Sequence, residues 1–351
     1  MNRNPSKFLS IFAKNWAAFF LLILIVVFSF TGQRFFHLAN FQNIVHLSTI
    51  YLLLSSAETF VIITGGIDLS VGFVMGLSSV LSATIMQRLY AANYSPVWSI
   101  LIGCIITLIV CIIPGFISGV LITKYKVPPF IATLGVGGIA NGITLLMCGG
   151  FPVAFLPPYL TEIGNGYLIY VLPGKAFSFF NRPEGIFGEE VKDLIRIIPN
   201  SFIFIFIILI ILWHVLRNTR FGKHNYAIGG NMDASVRAGI NINKHLMTVY
   251  VLAAFLSGVA GVFNVFQTGI GNYTPFSAMY ELLAIAGVII GGASLMGGKG
   301  GIIGSVIGVI LISVIENGLH LSGVDPFYRF IAVGLVLIIA VVIDQSFPDL
   351  L

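Results

Sequence analysis

Little of this chain is charged. Asp, Glu, Lys and Arg make up 9% of its 351 residues and hydrophobic types 57%, whereas about 25% of a soluble domain is charged. With a mean hydropathy of +1.00, a soluble fold is excluded and no nucleic-acid partner is expected. Cysteine is nearly absent: Cys104, Cys111 and Cys148 all fall in apolar stretches. They are too few and wrongly spaced for a disulfide framework or a metal site, so packing is their expected role. Catalytic signatures are missing too. There is no HExxH and no GxSxG, and no histidine stands at ligand spacing from another. The string Gly298-Lys299-Gly300 fails as a phosphate loop, because Ala293 stands where its first Gly belongs and Gly300 where Ser or Thr belongs. The chain is therefore expected to bind no cofactor itself.

What is present is long apolar sequence. A membrane barrel would show alternating segments of ~10 residues, which are absent, whereas the apolar runs suit helices of ~20 residues. Breaks at polar, Gly and Pro residues predict spans near 16–31, 44–63, 70–87, 97–123, 129–148, 197–216, 246–267, 281–296, 301–319 and 327–344. The expected fold class is all-α, a polytopic transmembrane helical bundle of about ten spans forming one domain over 1–351. Starting the N-terminus inside places eleven of the eighteen Lys and Arg on that side, so both termini are expected to be cytoplasmic. No small-residue cleavage site follows Phe30, and 16–31 reads as a retained span. No span carries the Asp/Glu/His series of a proton relay, which argues against an ion-driven mechanism.

Two connectors stand out. Segment 217–245 holds Arg217, Arg220, Lys223, Arg237 and Lys244 against one acid, Asp233. Within it, Asn231-Met-Asp233-Ala234-Ser235-Val-Arg237-Ala238-Gly239 reads as a short capped helix, with Asn231 as N-cap, Gly239 as C′ and an Asp233–Arg237 pair along one face. A capped surface helix is expected to dock a partner; the plain reading is a basic loop obeying the positive-inside rule. Segment 149–196 mixes acids with prolines and faces outward in this topology, as either a small ordered cap or a loose insertion.

Glycines recur four apart at Gly72/Gly76, Gly115/Gly119, Gly138/Gly142, Gly287/Gly291 and Gly300/Gly304/Gly308, rows that let helix backbones approach closely in lipid. Ile63-Thr-Gly-Gly-Ile-Asp-Leu69 also echoes Ile289-Ile-Gly-Gly-Ala-Ser-Leu295, as internal repeats do in many transporters. Glu58 and Asp68 bracket the Thr64-Gly65-Gly66 break, and a carboxylate at the bilayer centre costs ~2.5–3.5 kcal/mol on insertion scales. Asp68 or Ser70 is expected to cap the following span, with a role in the pathway as the alternative. Pathway and gating candidates are Glu58, Thr64, Gly65, Gly66, Asp68 and Ser70, with Glu281, Gly291, Gly292 and Ser294 from the later break.

Several motifs then point one way: Thr64-Gly-Gly-Ile-Asp-Leu-Ser-Val-Gly72, Pro129-Phe-Ile-Ala-Thr-Leu-Gly135, Thr219-Arg-Phe-Gly-Lys223, Ala227-Ile-Gly-Gly-Asn231 and Gly291-Gly-Ala-Ser-Leu-Met-Gly-Gly-Lys-Gly300. With these the chain resembles the membrane permease of a bacterial monosaccharide ABC importer, the ribose and galactose/methyl-galactoside class, over nearly its whole length outside 149–196. It departs at Leu283, where relatives commonly carry Asp after Glu-Leu.

The resemblance implies a bacterial inner-membrane protein working as a homodimer or pseudo-dimer. A cytoplasmic ATPase carrying ATP and Mg would seat on helices such as 231–239, and an extracytoplasmic binding protein would deliver the sugar. The path between two copies is then expected to be lined by Gly, Ser, Thr and apolar groups. The other reading the residues leave open is a stand-alone secondary transporter of small polar solutes; an intramembrane enzyme lacks any nucleophile–base or metal constellation.

Overall fold

The computed structural model describes residues 16–183, 193–273, 279–325 and 327–346. Its helices are α1 (Trp16–Thr31), α2 (Leu38–Ile63), α3 (Val71–Ala91), α4 (Pro96–Thr123), α5 (Pro129–Cys148) and α6 (Leu160–Asn165) before a short sheet, β1 (Tyr167–Leu172), β2 (Ala176–Phe179) and β3 (Ile195–Pro199). After it come α7 (Asn200–Asn218), α8 (Arg220–Gly230), α9 (Met232–Arg237), α10 (Ile242–Thr268), α11 (Tyr280–Ile290), α12 (Ile302–Leu321) and α13 (Tyr328–Ser346).

Local chemistry sets many of these ends. Ser95 Oγ accepts from Trp98 N ahead of Pro96 at the first position of α4, and Asn241 Oδ1 accepts from Lys244 N at 3.0 Å to start α10, both the ordinary use of a capping oxygen. Gly269, at φ +72°, ends α10 because a left-handed residue turns the chain away from the helix without a Cβ clash.

Among the described residues six helices, α2, α4, α5, α7, α10 and α12, are long and apolar enough to cross a membrane. Two boundaries differ from the sequence expectation in a way that matters. The span read as 281–296 stops at Ile290, because Gly292 adopts φ +89° and Ala293 N turns back to Val288 O at 3.1 Å. An all-α fold is also corrected: β1 pairs antiparallel with both β2 and β3, giving the order β2-β1-β3. The described part of segment 149–196 carries α6 and most of this sheet, which runs on to Pro199.

α2 is the central helix. Its second half is apolar or small except for Glu58, and of its most apolar stretch 89% is buried, as expected of a helix hydrophobic nearly all round. Its hydroxyls tie it to its neighbours: Ser55 Oγ donates to Ala284 O of α11 at 3.0 Å, and Thr59 Oγ1 meets Ser305 Oγ of α12 at 2.6 Å. α11 and α12 touch through glycines. A Cβ on Gly304 would overlap the Gly291 carbonyl, and one on Gly308 the Gly287 carbonyl. Gly115 and Gly119 of α4 likewise admit the α10 backbone at Tyr250 and Met247. Gly138 and Gly142 do not follow this rule: nothing lies within 4 Å of either position, so this pair leaves the surface of α5 open.

Candidate functional site

The end of α2 gathers most of the predicted residues. A helix leaves its last four carbonyls without partners inside the helix, and here each has one. Val61 O accepts from Thr64 N and Gly66 N, and Ile62 O from Gly65 N at 2.8 Å, with Gly65 left-handed at φ +81°. The other two are satisfied from far away in sequence. Ile63 O accepts from Gly298 N at 2.8 Å, and Phe60 O accepts from Asn225 Nδ2 at 2.8 Å. The break at 64–70 is therefore held by the turn at 291–300 and by α8 of the basic connector.

α8 is seated directly on this break. A Cβ on Gly229 would overlap the Ile63 carbonyl, so only glycine permits that approach. Tyr226 Oη donates to Gly300 O at 2.8 Å. Asn225 is completely buried and its Oδ1 lies 3.0 Å from His245 Nε2 at the start of α10. Asn225, Tyr226 and His245 are not among the residues the sequence marks out, and Gly229 enters only within the Ala227–Asn231 family motif. The signal in the sequence is an Asn and three Gly inside a short helix, residues that weaken a helix unless something specific uses them.

Asp68 is fully buried; its Oδ1 accepts from Ser70 N at 2.8 Å and from Ser70 Oγ at 2.5 Å. Asp68 thus closes a small turn ahead of α3, while Ser70, at the formal cap position, makes no side-chain cap bond. Of the two expected cappers, only Asp68 accepts a backbone N–H there. Thr133 of α5 braces the same turn, its Oγ1 accepting from Leu69 N at 3.1 Å, and a Cβ on Gly66 would overlap Tyr250 Oη.

Glu58 is fully buried with neither carboxyl oxygen hydrogen-bonded, and Asp68 Oδ2 and Glu281 Oε2 are likewise without partners. Asp68 and Glu281 both lie within electrostatic range of Glu58. Glu281 reaches this cluster because Gly72 has no side chain: a Cβ there would overlap its carboxyl group. Thr64 is buried, its Oγ1 turned back to Val61 O at 2.7 Å.

The later break packs on the first. A Cβ on Gly297 would lie 3.0 Å from Gly65 N, and Ser294 caps its own turn, with Met296 N donating to its Oγ at 3.3 Å. The two echoing segments are thus neighbours that end their helices alike. Their left-handed glycines, Gly65 and Gly292, are one residue out of step with the sequence alignment. Gly291 and Gly292 line a cavity of about 440 Å³ with Trp213, Arg217 and Tyr226.

The short helix appears where expected. Asn231 Oδ1 accepts from Ala234 N at 2.8 Å, and past Arg237 and Ala238, Gly239 adopts φ +82° with Ile240 N bonded to Ser235 O at 3.0 Å. Asp233 and Arg237 form no ion pair among the described residues; the caps, not a charge pair, close this element. Met232 and Val236, four apart, are exposed at 46% and 57%, an uncovered apolar pair on a basic surface.

The family described as branched-chain amino acid transport system / permease component matches residues 40–341. A ribose import permease protein of Bacillus subtilis is 37% identical over 93% of this chain and 91% of its own length. A galactose/methyl galactoside import permease protein of Haemophilus influenzae is 33% identical over 97% and 96%, and a D-allose transport system permease protein of Escherichia coli 32% over 98% and 95%. No solved structure matches the chain. The chain belongs to this permease family, as a multi-pass inner-membrane transport component and not an enzyme.

Proposed function

We propose that this chain is the membrane-spanning subunit of an ATP-driven, binding-protein-dependent monosaccharide importer. Relatives along its full length are named for ribose, galactose/methyl galactoside and allose, which favours sugars over the amino acids of the family description. The observation that carries the mechanism is the seating of α8 on the end of α2, where Asn225 and Gly229 meet Phe60 and Ile63. A partner ATPase holding ATP and Mg docks on α9, through Met232, Asp233, Val236 and Arg237. Its closure displaces α8, and α8 moves the carbonyls that hold the 64–70 break beside Glu58, Asp68 and Glu281.

In this reading ten helices cross or enter the bilayer: the six long ones together with α1, α3, α11 and α13. An even count leaves both termini in the cytoplasm, on the side of the cationic connector. With 11 residues at ~1.5 Å each, α11 reaches only about halfway, so its glycine turn at 291–300 lies inside the membrane, where irregular backbone is tolerated only against protein. The sheet end faces a sugar-binding protein, and two copies pair across the path.

The test is uptake of labelled ribose, galactose and allose by cells in which the partner ATPase is disabled and the ion gradient kept. Uptake collapses, and the purified chain carries the ATPase with it. Uptake that persists on the gradient alone overturns the reading in favour of a stand-alone secondary transporter.

A further inference from the structure

At the end of the bundle opposite α8, two adjoining cavities of about 540 and 270 Å³ share His46, Leu47 and Asn165. They are open on one side and bordered by the first half of α2, by α6, by the last turns of α10 and α12, and by Tyr280 at the start of α11. Primary amides dominate their polar lining: Asn43, Asn165, Asn264, Gln267 and Asn317. An amide offers two donors and a carbonyl acceptor, the complement of a hydroxyl that both donates and accepts. Neither Lys nor Arg lines these cavities, so the groups that ordinarily hold phosphate or carboxylate are missing from the lining. Tyr51 and Tyr280, with ring centres 5.4 Å apart and planes tilted by 39°, supply a flat apolar wall of the kind that packs against C–H groups.

The lining is fixed in place from behind. His46 Nδ1 lies 3.1 Å from Ser201 Oγ, its carbonyl accepts from Gln267 Nε2 at 3.2 Å, and Asn165 Nδ2 donates to Gln267 O at 2.7 Å. One group is left waiting. Asn317 is only 5% exposed, yet its Oδ1 has no hydrogen-bond partner, and buried polar atoms in native proteins are almost always satisfied. Five amides, two of them held by hydrogen bonds and one with an orphaned acceptor oxygen, beside a pair of tyrosines and with neither Lys nor Arg, form a donor and acceptor set for hydroxyl groups.

We infer that this double cavity is a binding site for a neutral polyhydroxylated small molecule, so that the permease itself reads the solute after a binding protein releases it. The inference rests on the importer reading above for its substrate class and adds a second point of selection inside the chain. It also departs from the bland lining expected of the path: here amides, a carboxyl residue and tyrosines replace Gly, Ser and Thr.

The test is saturation-transfer NMR on the full chain in lipid nanodiscs, with ribose, galactose and allose as probes and ribose 5-phosphate as the charged control. All three neutral sugars, or one of them, take up saturation and the phosphate does not. Asn317→Leu and Asn43→Leu each weaken the transfer about fivefold, the effect of one net hydrogen bond, while Lys124→Glu, exposed at the opposite end of the bundle, leaves it unchanged. Asn43 is exposed, so its variant separates binding from folding. In vesicles carrying the complete importer, Asn43→Leu also shifts the ratio of ribose to galactose uptake, which a purely structural residue would not do. Absence of transfer from folded wild-type chain, or transfer at the wild-type level in both Asn variants, overturns the site. Sugar uptake that continues in that case leaves the importer reading standing, whereas loss of ATP-driven sugar uptake alongside normal transfer removes the reading and keeps the site.

Discussion

Asn225 and Phe60, 165 positions apart, are joined by a 2.8 Å hydrogen bond from the Asn225 amide to the Phe60 carbonyl. A carbonyl only accepts, so this bond sets the amide's orientation. Oδ1 must then accept from His245, which places a proton on Nε2 of that ring across the 3.0 Å contact. Asn225→Ala strips both groups of their partner in a fully buried place, a loss of about 1–3 kcal/mol. Thermal unfolding of the purified chain measures that cost, and the ratio of sugar transported to ATP hydrolysed in vesicles measures the coupling. Both fall together if α8 transmits the motion; an unchanged ratio would show that α8 merely fills space.

The short helix α9 offers a sharper test than simple disruption. Ala234 lies in its first turn, where proline is sterically tolerated, so the usual interior penalty of ~3 kcal/mol does not apply. What Ala234→Pro removes is the N–H that Asn231 Oδ1 accepts, worth about 1 kcal/mol. Asn231→Ala removes the same bond. Each variant weakens ATPase association in co-purification, and the double variant is no worse than either single one. Additive losses would mean the two residues act separately.

Asp68 accepts from Ser70 through Oδ1 alone. Asp68→Asn keeps that acceptor and is expected to be mild, whereas Asp68→Ala loses it at about 1 kcal/mol and frees the turn ahead of α3. Folded yield and uptake rate of the two variants decide the matter. Equal and severe transport loss in both, at normal yield, would assign Asp68 a mechanistic charge instead.

Gly72→Ala drives a methyl group into the Glu281 carboxyl group, and overpacking of this kind costs about 1–3 kcal/mol. Shortening the partner with Glu281→Ser relieves the overlap, so the double variant melts at a higher temperature than Gly72→Ala alone. If the two changes simply add, the contact between α3 and α11 is not what limits that position.

Much of the chain was legible because it depends on near neighbours. Hydropathy along the chain marks where helices lie, since only a helix satisfies its own backbone in lipid. The Asn231 cap and the Gly239 terminator are bonds over three to five residues, which a local pattern displays. The family motifs carried the functional class. What tertiary structure alone decided are the contacts that depend on where helices lie relative to one another. Gly304 and Gly138 look alike in sequence, yet one admits the Gly291 carbonyl and the other faces open space. The residues Tyr167-Leu-Ile-Tyr-Val-Leu172 show no polar alternation to announce a strand, and only pairing with β2 and β3 made them one. Asn225 became a link because the bundle places beside it a helix end whose carbonyls need hydrogen-bond donors. The amides from α2, α6, α10 and α12 became one cavity by the same kind of accident of position, since hydrogen bonding between distant segments leaves no periodic trace along the chain.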